Sequence, residues 1–115
     1  MARTRAHERA NPKKRIFYSK RGAAKTRGVP FSLEFSDISW PDYCPALGTK
    51  LDYSLGIGHT KDPRITPSFD RLDNSLGYEP GNVVIISKAA NSIKSSFTAT
   101  DVQLVADWLR RVQPQ

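Results

Sequence analysis

Residues 67–94, PSFDRLDNSLGYEPGNVVIISKAANSIK, constrain the fold more than any other stretch of the chain. They read as a strand near 68–72, a turn over 73–82 rich in Gly, Pro, Asn and Asp, a second strand over 83–87, and a short helix over about 88–95. Polar side chains fall at three separated points of this unit: Asp70 on the first strand, Asn82 at the start of the second, and Asn91 on the helix. Asn has poor helix propensity, so a mid-helix Asn91 invites a reason beyond the helix itself. Asn82 follows Gly81 and suits backbone bonding across a turn.

The rest of the chain arranges itself around this unit. Asn11-Pro12 is a cap and first-turn pair, opening a helix from about Pro12 to Arg27 that stops at Gly28. Its few apolar residues are Ile16, Phe17, Ala23 and Ala24. Pro30 imposes an extended start on Phe31–Phe35, which alternates like a strand. Ser36-Asp37-Ile38 opens a short turn or helix, and Leu51-Asp52-Tyr53 is another short extended piece. Residues 54–67 form a loop. Thr98 or Thr100 caps a last helix to about Val112, whose Val102, Val105, Ala106, Trp108, Leu109 and Val112 suit a face packed on the core. Trp40 and Trp108 read as core residues, as does Cys44. The expectation is a small α+β domain: a ββα core with a basic N-terminal helix and a packing C-terminal helix.

Charge is unevenly spread over the 115 residues. Of the 18 Lys and Arg, ten lie in residues 1–28 beside one of the 11 acidic residues, leaving eight against ten over 29–115. The net charge of +7 therefore belongs to the N-terminal segment. Residues 1–11 carry almost no apolar anchors and read as disordered in the free protein. A basic segment of this kind tracks a phosphate backbone with salt-sensitive affinity, which makes Lys13, Lys14, Arg15, Lys20, Arg21, Lys25 and Arg27 candidate nucleic-acid contacts. A solubilising tail or an anionic membrane surface are the alternatives. Cys44 is the single cysteine, so neither an intramolecular disulfide nor a thiolate cluster arises, in keeping with a reducing compartment. There is no apolar run of membrane-spanning length and no apolar signal segment; the expected location is cytoplasmic.

The pattern Pro-Ser-x-Asp-Arg-x-Asp-Asn-Ser-x-Gly-Tyr-x-x-Gly-Asn-Val, followed by Asn-x-x-Lys on a helix, resembles the HNH (His-Me finger, ββα-metal) endonucleases, specifically the small phage-type HNH proteins. Arg27-Gly-Val-Pro-Phe31 and Cys44-Pro-Ala-Leu-Gly48 extend the likeness less specifically. The resemblance implies a DNA endonuclease with one divalent ion, Mg2+ or Mn2+, acting in the host cytoplasm if phage-encoded, and nicking strands unless two copies combine. It implies Asp70 and Asn91 as metal ligands and Asn82 as the residue fixing the loop between strands. The position where the family carries its general-base His holds Arg71.

That departure has chemical weight. A guanidinium stays protonated at any working pH and takes no proton from water, though it clamps a phosphate oxygen well; pairing with Asp70 is its other reading. A base must then come from His59, from Asp73, or from metal-bound hydroxide, and losing a general base costs about 10²–10⁴ in rate. Lys94, one turn beyond Asn91, suits a DNA phosphate or plain solvent. Two rival readings stand: an HNH-fold module that binds DNA or a host protein with little or no catalysis, and a basic RNA-associated structural protein.

Overall fold

A computed structural model describes residues 11–54 and 62–113. Among these residues the chain is α+β, with three α-helices and one two-stranded antiparallel sheet. Helix α1 spans Pro12–Thr26. The Asn11 side chain accepts from the Lys14 amide at 3.1 Å, and Pro12 occupies the first turn, where no intrahelical N–H is needed. At the other end Gly28 takes φ +72°, and the Gly28 and Val29 amides donate back to Lys25 and Ala24 oxygens. This is a Schellman stop, and a left-handed backbone there favours Gly.

Phe17 and Ala24, two turns apart, bury one face of α1. Phe17 is the centre of the core: edge-on contacts reach Tyr18, Phe31 and Phe35, and a tilted one reaches Phe69 on β1. The basic helix is thereby fixed to the sheet, each such aromatic contact adding about 0.5–1.5 kcal/mol beyond area burial.

Residues 31–35 do not form the expected strand. A single parallel bridge joins Phe31 to Tyr78, with Ser32 N–H donating to Tyr78 O and Tyr78 N–H to Pro30 O. The chain then curls into a 3-10 turn, Phe35–Asp37, because the Asp37 carboxylate accepts the Glu34 amide at 2.7 Å. Local side-chain bonding outcompetes a strand ladder here. Leu51 and Asp52 are likewise outside any strand; the pairing nearby is the Tyr43–Lys50 bridge closing the Cys44–Thr49 turn.

Strands β1 (Pro67–Arg71) and β2 (Val83–Ser87) pair antiparallel, with Asp70 opposite Val84 and Arg71 opposite Val83. Ser87 ends β2 and caps α2 (Lys88–Lys94), its hydroxyl accepting from the Ala90 amide at 3.0 Å. Two strands and a short helix thus follow one another in the order the sequence pattern expects. Helix α3 (Ala99–Val112) begins at Thr98, which forms a reciprocal capping box with Asp101.

The face of α3 is a correction. None of its residues is buried, and Trp108 is 52% exposed, with Val105 and Val112 also exposed. Only Val102, Ala106 and Leu109 of the six expected core positions are half-buried. Apolar residues run more than halfway around this helix, and one arc meets the body. Trp40 is half-buried and joins the aromatic core through Phe35, Tyr53 and Phe69. Cys44 is buried.

Candidate metal and nucleic-acid site

Asp70 lies on β1 with 5% of its surface exposed, one of the buried polar residues of the core region. A buried carboxylate needs a partner, and it has one. Lys94 at the end of α2 places its ammonium 2.9 Å from Asp70 Oδ1 and 3.2 Å from the Arg71 carbonyl oxygen. Arg71 itself does not fill that role. Neighbouring side chains on a strand point to opposite faces, and its guanidinium turns to the loop, donating to Leu76 O at 3.0 Å and Asn74 O at 3.3 Å. The Asp70–Arg71 ion pair envisaged from sequence is therefore replaced by Asp70–Lys94.

Asn91, three residues before Lys94 on α2, faces the same strand. Its Nδ2 donates to Ser68 Oγ at 2.8 Å and weakly to Phe69 O at 3.4 Å. Both α2 side chains thus lie against β1, Asn91 over its start and Lys94 over its end. Donation through Nδ2 leaves the Asn91 amide oxygen as an acceptor.

Asn82 is buried and holds the connecting loop closed. Its Oδ1 accepts from the Asp73 amide at 2.8 Å, while Nδ2 donates to Asp73 O at 3.1 Å and Gly77 O at 2.9 Å. A single side chain meets three backbone groups, the loop-fixing geometry expected of it. Asp73, one of the candidate bases, is committed to the loop: its Oδ1 accepts from both the Ser75 amide and hydroxyl. Those bonds, the side-chain one first, hold its carboxyl below the usual range, which makes it a weaker proton acceptor. His59, another candidate, lies outside the described residues.

The basic residues of α1 divide into two groups. Lys13, Lys14 and Lys20 are half-buried with ammonium groups over the rings of Tyr53, Phe35 and Tyr78. Arg15 is also half-buried, and its Nε has no hydrogen-bond partner. Arg21, Lys25 and Arg27 are exposed, Arg21 stacking on Tyr18. Tyr78, which the sequence places in the closure of the loop between the strands, also gathers cations. Both Lys20 and Arg71 bring a cation to its ring, at 4.9 and 5.2 Å. Through Tyr78 the basic helix meets the turn between the strands, Lys20 and Arg71 sharing its ring, while Lys94 bonds Asp70 and the Arg71 carbonyl. Ser68, which anchors Asn91, was not singled out; a hydroxyl two residues before Asp70 on the same strand face was its only signal.

Among the described residues no group of three or more His, Cys, Asp or Glu side chains comes together. Asp70 carries a carboxylate and Asn91 a neutral amide oxygen, donors of the type a hard cation takes. No helix of the described residues is long and apolar enough to cross a membrane. Comparison with family models, with curated proteins and with solved structures finds no match to this chain.

Proposed function

We propose that the chain is a divalent-metal-dependent DNA endonuclease of the HNH type that nicks one strand at a time. The observation that carries this reading is the ββα unit itself: a buried Asp70 on β1, Asn91 against the same strand from α2, and Asn82 clamping the loop between the strands. Asp70 and Asn91 would hold the ion, which when bound supplies positive charge to a phosphorane-like transition state. Arg71 keeps its fork rigid by donating Nη1 to two loop carbonyls, and its remaining N–H groups are free in number to grip a phosphate. Lys20 and the exposed Arg21, Lys25 and Arg27 extend the cationic track along α1. Arg71 takes no proton, so the attacking water loses its proton to another group, His59 among the candidates.

Purified protein incubated with supercoiled plasmid and Mg2+ or Mn2+ tests this reading. Conversion to open circles, abolished by EDTA and by Asp70→Ala, is the expected outcome. Arg71 at the base position favours a second reading, a DNA-binding module without cleavage. Salt-sensitive plasmid binding with no conversion by a folded wild type establishes that reading and removes the first.

A further inference from the structure

The Lys94 ammonium donates to one carboxylate oxygen and one carbonyl oxygen, on Asp70 and Arg71. An oxygen-lined position of that kind suits a hard cation as well as an ammonium. The two partners differ in freedom: the Asp70 side chain is 6% exposed and the Lys94 side chain 35%. The carboxylate is the fixed half of the pair, and the ammonium sits on a flexible four-carbon stem with a route to solvent. Asn91, three residues earlier on α2, lies against the same strand with its Nδ2 on Ser68, which leaves its amide oxygen as an acceptor. A divalent ion and an ammonium on one carboxylate stand a few ångströms apart in a partly desolvated site and repel strongly.

Resting on the reading of Asp70 as a metal ligand, we propose that Lys94 and the divalent ion exchange on Asp70, and that the released ammonium then binds a phosphate of the nucleic-acid backbone. Lys94 thereby links two binding events. The ion displaces the ammonium, the displaced ammonium adds a phosphate contact, and by reciprocity each ligand raises the affinity for the other.

The test is calorimetric titration of Mn2+ into the wild type, Lys94→Met and Asp70→Asn, with duplex binding followed by fluorescence anisotropy in Mg2+ and in EDTA. Removing the competitor makes Lys94→Met bind Mn2+ at least tenfold more tightly than the wild type. Mg2+ then tightens duplex binding by the wild type several-fold more than by Lys94→Met. Equal or weaker Mn2+ binding by folded Lys94→Met overturns the exchange while leaving Asp70 a ligand. Absence of Mn2+ binding in both proteins removes Asp70 as a ligand, and with it the nuclease reading. A measurement on the wild type guards against a variant that fails to fold. The Lys94 ammonium resonance, identified by its loss in Lys94→Arg, shifts and broadens toward the solvent-exposed class as Mg2+ saturates the protein. An unchanged ion-paired signal at saturation refutes the exchange.

Discussion

Replacing Asn82 by Ala isolates the device that shapes the ββα unit. The residue is 6% exposed and its side chain makes three bonds to the loop backbone. The bond to Gly77 O is buried, so losing its donor leaves a carbonyl without water, at about 1–3 kcal/mol. The two groups of Asp73 lie at an exposed residue where solvent substitutes in part, for about 0.5–1 kcal/mol each. The expected loss is roughly 2–5 kcal/mol, a large share of the 5–15 kcal/mol typical of a small domain. Asn82→Asp sharpens the test, because a carboxylate still accepts from the Asp73 amide but faces two carbonyl oxygens it cannot satisfy. It destabilises at least as much as Ala. Urea unfolding followed by tryptophan fluorescence measures both, and amide exchange at Asp73 accelerates if the loop opens. A loss below about 1 kcal/mol for Asn82→Ala, at unchanged denaturant slope, refutes the claim that these bonds hold the loop.

Two further perturbations probe the scaffold. A methyl added at Gly77 meets Pro30 O at 2.5 Å and Pro30 Cβ at 2.9 Å, so Gly77→Ala pries apart the Phe31–Tyr78 pairing and costs about 1–3 kcal/mol; an unchanged melting temperature sinks this reading. Burial raises the Cys44 thiol, but hydrogen bonds from the Ser87 side chain and from the Leu47, Ser87 and Ala46 backbone outweigh it and bring the pKa from 9.0 to about 7. A folded pKa below the unfolded one stabilises fully above pH 9 and loses that contribution as pH falls through 7. Stability of the wild type therefore rises between pH 6 and 9 relative to Cys44→Ala, and parallel pH profiles for the two proteins contradict it.

The local elements were legible because their signals are local. Asn11, Ser87 and Thr98 each bond an amide three residues on, and Gly28 relaxes a left-handed turn, so helix ends follow from the residues beside them. The β1 and β2 segments stand within a residue of their expected bounds, since β-branched pattern and turn chemistry agree there. Asn82 fits its expected loop-fixing role for the same reason, all its partners lying within nine residues.

What failed was whatever depended on distant partners. Phe31–Phe35 alternates like a strand, but a strand exists only with a neighbour to pair with, and Tyr78 offers a single bridge before Asp37 curls the chain. The apolar arc of α3 is real in sequence, yet how much of it is covered depends on where the helix meets the body, and Trp108 remains half in solvent. Above all, the choice between Arg71 and Lys94 as the partner of Asp70 turned on strand pleat and helix placement, across 24 residues of chain. The sequence alone determined the elements, their caps and the positions of the polar residues along them. Tertiary structure alone decided which of those polar groups meet, because burial and facing are properties of packed elements and not of any one of them.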